Sequence, residues 1–280
     1  MGSGPRNPVA DPGSTTSSGD TPRSGQLDEI LLVDDVEASM WAALSDGRLG
    51  DLVPEFPLLE LEQDPVHRHK DVLAHTIAVT SKTSPRAVIR LAAMFHDIAK
   101  PQTRSFEHGT VTFRNHEQVG SKITRTRLRA LGYPDDVVAD VSRLVYLSGR
   151  FKGYSQEWTD SAVRRYARDA GPLLGDLNEL VRCDCTTRNP RRFASLQRNV
   201  DHLEARIVEL AREDRERAER PDLDGQAVME HLGIAPGREV GQALAHLLEL
   251  RRQRGGALAH DEALAALDAW AAAQGISPAG

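Results

Sequence analysis

The chain has 280 residues, 40% of them hydrophobic and 27% charged, with aromatics at only 5% and a formal net charge of −6. This is material for one large domain, or one domain with an appendage, around a mainly aliphatic core. The acidic balance argues against a dedicated nucleic-acid coat, no apolar run approaches the roughly 20 residues needed to span a bilayer, and the N-terminus has no apolar h-region of a secretory signal.

In chain order, residues 1–25 are rich in Gly, Ser, Pro and Thr without periodicity and read as a disordered tail. Val36, Met40, Trp41 and Leu44 then recur at helical spacing, with Asp35 as a cap and Gly47 as the stop. A stretch with Pro54 and Pro57 reads as a loop. The next helix holds Val72, His75, Thr76 and Val79. Ser84-Pro85 predicts a helix start, with Ser as the cap and Pro in the first turn. That helix carries Val88, Leu91, Ala92 and Phe95, and Pro101 is expected to stop it. Thr110–Phe113, beside Gly109, is the one candidate strand. Further helices are predicted at about 115–131, 134–147, 159–169, 172–186 and 192–217. Beyond Pro221 the pattern gives a short helix between Asp224 and Gly233, one with Val240, Leu244, Leu247 and Leu248 up to Gly255, and one with Leu264, Leu267 and Trp270. The fold class is all-α. The expected organisation is a tail over 1–25, a main domain over 26–217 and a small C-terminal helical segment over 218–280.

Two cysteines, Cys183 and Cys185, with one residue between them make neither a zinc knuckle nor a disulfide framework. They read as reduced thiols and suit a cytoplasmic protein.

Six of the ten histidines lie between His67 and His116. His96-Asp97 ends the otherwise apolar run Leu91 to Ile98. Burying an imidazole beside a carboxylate is costly unless both are paired or hold a metal. Neutral imidazole and carboxylate together suit Mn, Fe, Co, Ni or Zn. His75 lies one helix earlier, four residues after Asp71, which is placed to orient it. Asp184, between the two cysteines near the end of an apolar helix, can supply a ligand from a distant element. Each of these has an alternative as an ordinary buried or capping polar group.

Taken together, His75, His96-Asp97 and the distant Asp184 resemble the H…HD…D signature of the HD-domain superfamily of metal-dependent phosphohydrolases. The contexts "DVLAHT" and "AAMFHDIAKP" carry the likeness, with Ala99 where the family usually has Gly, a minor change provided φ is negative there. The segments "HRHKDVLAHT", "NHEQVG", "RFKGY", "WTDSAVRRYARDAGPLL", "CTTRNPRRF" and "RPDLDGQAVMEHLGIAPGREVGQALAHLLELR" are similar to the C-terminal HD region of bacterial CCA-adding tRNA nucleotidyltransferases. The similarity covers about residues 36–273.

The resemblance implies an HD helical bundle, a divalent transition metal on His75, His96, Asp97 and Asp184, and hydrolysis of a small phosphorylated substrate such as a nucleotide or a 2′,3′-cyclic phosphate. Asp97 would orient water, His116 would donate a proton to the leaving group, and Lys100 would stabilise phosphoryl charge. His69, Arg150, Lys152 and Arg188 are candidate phosphate contacts. The Gly-Ser loop and paired-Asp motif of the nucleotidyltransferase head are missing before residue 26, so CCA addition by that mechanism is not expected. Ser148 and Lys152 stand where related enzymes commonly have histidines, which predicts one tight ion, with any second ion weaker.

Other readings are an RNA-binding remnant, using Arg125, Arg127 and Arg129 with Arg188, Arg191, Arg192 and Arg198, a phosphatase of a small-molecule pathway, and a structural protein that has lost turnover.

Overall fold

The computed structural model describes residues 21–61, 71–107, 110–154, 158–187 and 189–276. Two compact units divide between Ile207 and Val208.

The first unit opens with α1 (Arg23–Leu31), α2 (Val36–Ser45), α3 (Arg48–Leu52), α4 (Val72–Lys82), α5 (Ala87–Phe95) and α6 (Lys100–Thr103). A hairpin of β1 (Arg104–Glu107) and β2 (Thr110–Phe113) follows, antiparallel, with Arg104 opposite Phe113 and Phe106 opposite Val111. Then come α7 (His116–Leu131), α8 (Asp135–Leu147), α9 (Asp160–Ala170), α10 (Leu174–Cys183) and the long α11 (Pro190–Ala218). The fold is all-α apart from that hairpin, as the periodicity predicts.

α5 is the axis of this unit. Ile89 and every residue from Leu91 to Phe95 are fully buried, as expected of a helix apolar all round. α4, α8 and α10 pack against it. Its one buried cation, Arg90, donates through Nη1 to the carbonyls of Leu31 and Val33 and so closes the α1–α2 link over the core.

Several local expectations are corrected. Helix α1 begins at Arg23, inside the stretch read as tail; its sequence carries little periodic signal, and burial of Leu27, Ile30 and Leu31 defines it instead. Pro101 lies in the first turn of α6 and does not stop α5, which ends at Phe95. Trp41 stands 40% exposed, and α2 buries Val36, Met40 and Ala43. The compact units divide inside α11, whereas the sequence suggests a boundary at 217/218.

The second unit comprises the end of α11 with α12 (Gly225–Leu232), α13 (Arg238–Arg254) and α14 (His260–Gln274). Val228 and Leu232, then Val240, Ala243 and Leu247, then Ala263, Leu267 and Ala271 form its core at helical spacing. Asp224 caps α12 by accepting from Ala227 N at 2.8 Å. Gly233 and Gly255 stop α12 and α13 with φ of 64° and 74°, a region a Cβ disfavours. No helix among the described residues is long and apolar enough to cross a membrane.

Ser84 does not cap α5, whose N-cap is Arg86. Ser84 bonds across to α10 instead. Its backbone N–H donates to Glu179 Oε1 at 2.6 Å and its hydroxyl to Oε2 at 3.2 Å, while Arg86 Nη2 donates to the same carboxylate at 3.0 Å. Burial opposes charge on Glu179, but these bonds outweigh it and lower its pKa below the ordinary 4.5. A lowered folded pKa gives stability that is present above the unfolded value and lost as pH falls through the folded one. Glu179→Ala should therefore cost about 1–3 kcal/mol at neutral pH, read by urea unfolding, and the gap from wild type should shrink at acid pH.

Candidate metal centre

Four elements bring the expected residues to one point. His96 is the C-cap of α5 and Asp97 follows in the turn, so the most buried helix delivers both, with 3% and 1% of their surfaces exposed. Ala99 has φ −94°, which accepts a side chain without strain. His75 comes from the middle of α4. His116 opens α7 after Asn115, whose φ of 60° turns the chain sharply out of the hairpin. Asp184 caps the C-terminus of α10, its N–H donating to Leu180 O at 2.9 Å.

The Nε2 atoms converge on carboxylate oxygens. His75 Nε2 lies 3.0 Å from Asp184 Oδ1 and 3.6 Å from Asp97 Oδ2. His96 Nε2 lies 3.2 Å from Asp97 Oδ2 and 3.6 Å from Asp184 Oδ1. His116 Nε2 is 3.6 Å from Asp97 Oδ1 and 3.4 Å from Glu117 Oε1. Donor atoms of His75, His96 and Asp97 all lie within 4.8 Å of one another and could hold a metal ion. Asp184 is not in that group, but its carboxylate closes the side toward both histidines.

The other ring nitrogens fix the tautomers. The Nδ1 atoms of His96 and His116 lie 2.7 Å from the carbonyls of Ala93 and Phe113. A carbonyl only accepts, so each Nδ1 carries hydrogen and donates. In a neutral ring this leaves the Nε2 lone pair aimed at the centre. His75 Nδ1 meets Thr186 Oγ1 at 2.9 Å. The expected orienting role of Asp71 is thus corrected: Asp71 accepts from Leu73, Ala74 and Leu61 N–H groups, capping α4, and Thr186 is the partner of His75.

His96 Nε2 is buried and has no hydrogen bond of acceptable geometry among the described residues. A buried polar atom left in that way, close to two carboxylates, has the character of a cation's ligand. The electrostatics agree. Burial disfavours a charged His96 ring, yet Asp97 and Asp184 outweigh it and raise its pKa to about 10. Burial likewise opposes ionisation of Asp97, but His96, Lys100 and His75 hold it well below the usual carboxylate range. Asp184 is lowered too, against its burial, by His75 and His96 beside it. The site keeps its carboxylates charged by gathering positive charge, which a divalent ion could also supply.

Lys100 is buried, with Nζ 2.6 Å from Asp97 Oδ2 and 5.5 Å from the Phe113 ring centre. It is not the solvated helix-end lysine that its position would otherwise suggest. Ser148 turns its hydroxyl back to Val145 O at 2.9 Å. A Cβ at Gly149 next to it would meet Glu117 Oε1 at 2.0 Å, so that side chain would have to move.

A cavity of about 450 Å³ opens from the centre, lined by His75, Asp97, Lys100 and Asp184 and, beyond them, by residues of α11 and of the turn after α8. Arg150 is not on it. Its guanidinium pairs with Asp169 at 3.2 Å and lies 5.9 Å from the Tyr146 ring, which corrects its expected role as a phosphate contact. His69 and Arg188, and the side chain of Lys152, lie outside the described residues. Thr186, Tyr154, Leu196 and Asn199 also line the cavity, and the sequence reading misses them; for the α11 pair, the available signal is a shared helix face. The cysteines are free thiols, and burial pushes Cys183 up to about 11, which makes it unreactive.

The family model for the HD domain matches residues 72–238. A CC-adding tRNA nucleotidyltransferase of Thermus thermophilus is 35% identical over 216 residues, 74% of this chain and 47% of the relative. An A-adding tRNA nucleotidyltransferase of Deinococcus radiodurans is 31% identical over 192 residues, 65% of this chain and 43% of the relative. The chain spans about half the length of the curated relatives it matches.

Groups that orient a metal-bound imidazole commonly matter 10- to 100-fold to affinity. Thr186→Val should weaken metal binding by about that factor with little change in melting temperature, read by competition titration with a chromogenic chelator.

Proposed function

We propose that this chain, which belongs to the HD domain family, is a metal-dependent phosphohydrolase acting on a nucleotide or related phosphate ester, as a phosphomonoesterase or 2′,3′-cyclic phosphodiesterase. The observation that supports the reading is the convergence of His75, His96 and Asp97 donor atoms within 4.8 Å of one another at a buried helix end, with the Asp184 carboxylate beside both imidazoles.

His75, His96, Asp97 and Asp184 would hold one tight ion of Mn, Fe, Co, Ni or Zn, a set suited to imidazole and carboxylate. When bound, such an ion polarises a phosphoryl oxygen and lowers the pKa of water at the site. Asp97 presents Oδ2 toward His75, His96 and Lys100 and Oδ1 toward His116. It can therefore orient an attacking water while its charge is held by Lys100. Lys100 Nζ lines the cavity and offsets negative charge that grows on the phosphoryl oxygens. His116, whose Nδ1 donates to Phe113 O, would act as general acid in its protonated form, giving the Nε2 proton to the leaving oxygen. A second ion would bind weakly, because Ser148 spends its hydroxyl on its own helix.

The names of the similar proteins support tRNA as one candidate phosphate ester. A broad basic track for RNA has less support. Arg127 is tied to Glu55 at 2.7 Å and Arg129 pairs with Asp135 at 3.5 Å.

Purified protein should contain about one transition metal per chain by elemental analysis and hydrolyse phosphate monoesters or cyclic phosphodiesters with Mn, Co or Ni. His96→Ala should lose metal and lower hydrolysis together, by at least ~100-fold, while remaining folded by circular dichroism. Full turnover in that variant would sink the assignment. Salt-dependent tRNA binding without hydrolysis in the wild type would favour an RNA-binding module instead.

A further inference from the structure

The cavity has a second wall that the hydrolytic groups do not use. Phe151 lies within a 3₁₀ turn over Arg150–Gly153 and Tyr154 directly follows it, and side chains three apart in such a turn eclipse one another. Their rings accordingly stack, with centroids 5.3 Å apart and planes 19° apart. Both line the cavity, yet their exposures are only 8% and 9%. The aromatic wall is therefore set in advance. Trp158 meets Tyr154 edge-on with ring centres 5.1 Å apart, and the Tyr154 hydroxyl bonds His202 Nδ1 at 2.5 Å.

Helix α11 supplies the adjoining surface. Leu196 and Asn199 are three apart, on one helix face, and both line the cavity. His202 continues that face. The Asn199 amide, with donor and acceptor both available, has no hydrogen-bond partner among the described residues.

We propose that this wall is a base-recognition subsite: a nucleoside phosphate lies with its base against the Phe151–Tyr154 face and its base edge on the Asn199 amide. A flat heteroaromatic ring uses both the π face and the amide. A sugar phosphate would leave the aromatic face without a partner, and an acyl chain would leave the amide unsatisfied. Only the placing of the phosphate at the metal centre rests on the phosphohydrolase reading.

The test is calorimetric binding of AMP, ribose 5-phosphate and adenosine to the full Mn²⁺-loaded chain, alongside hydrolysis of the two phosphates. Wild type should bind AMP at least about 10-fold tighter than ribose 5-phosphate, in keeping with the usual worth of base–aromatic stacking. Tyr154→Leu should bring the two affinities together by weakening AMP alone. Tyr154→Phe, which keeps the ring, should retain most of the preference and guards against misreading a folding defect. Asn199→Ala should reduce the discrimination between AMP and CMP. Equal affinity for AMP and ribose 5-phosphate in wild type, or equal weakening of both in Tyr154→Leu, would overturn the subsite. Adenosine binding without hydrolysis of any ester would remove the hydrolase reading and leave the subsite standing. Hydrolysis of ribose 5-phosphate as efficient as that of AMP, with equal binding, would do the reverse.

Discussion

Two carboxylates facing buried imidazoles set the terms for the first unit. Asp97 has 1% of its surface in solvent and sits at the end of a helix whose buried residues are apolar apart from Arg90. A charge in that position is tolerated only when paired and hydrogen-bonded. Lys100 answers it from one turn later, the rings of His75, His96 and His116 answer it from three other directions, and Asp184 arrives from α10 to share the same positive charge. The burial of α5 and the electrostatics of its end are one constraint. The helix must be central to hold the pair in place, and the pair must be neutralised for the helix to remain central.

The position of Asp184 depends on how α10 is held. At its start, Glu179 and Asp176 are tied to Ser84 and Arg86 at the head of α5. On another side, Tyr166 donates to Asn178, Asn178 donates to Glu204, and Arg182 pairs with Glu204 and Asp201 of α11. Both ends of the α5–α10 pair thereby bear on the site: one fixes the helices at their start, the other fixes the register at which Asp184 emerges. Removing one member of such a network leaves the others desolvated without partners, so its effect should exceed that of a single surface pair.

Much of the fold and the centre of the site are legible in the sequence. The H…HD…D order, the periodicity of α7, α8, α13 and α14, and the caps Asp35 and Asp224 are local signals, and local chemistry decides them. The features that escape it share a cause in long range. Thr186 is 111 residues from His75, and Glu179 is 95 from Ser84, so nothing in the neighbouring sequence shows that one serves the other. Asp71 and Ser84 each have a plausible task close by in the chain, and tertiary partners decide otherwise. Strand β1 has no sequence alternation strong enough to be seen alone and exists because β2 pairs with it. Arg150 fails as a phosphate contact for a similar reason, since a charge inside a suggestive motif says nothing about the carboxylate that folding brings beside it.

The three imidazoles are not oriented by equivalent means. His96 and His116 each donate to a carbonyl three residues earlier, and no substitution deletes a carbonyl from the main chain. His75 relies on a hydroxyl that a single base change can remove. The mutational target of the centre is therefore lopsided: sequence drift can erode the aim of one ring while the other two keep theirs through almost any change of neighbour. Drift would therefore show first at α4 and the segment after α10, with the helix that carries His96 and Asp97 still intact.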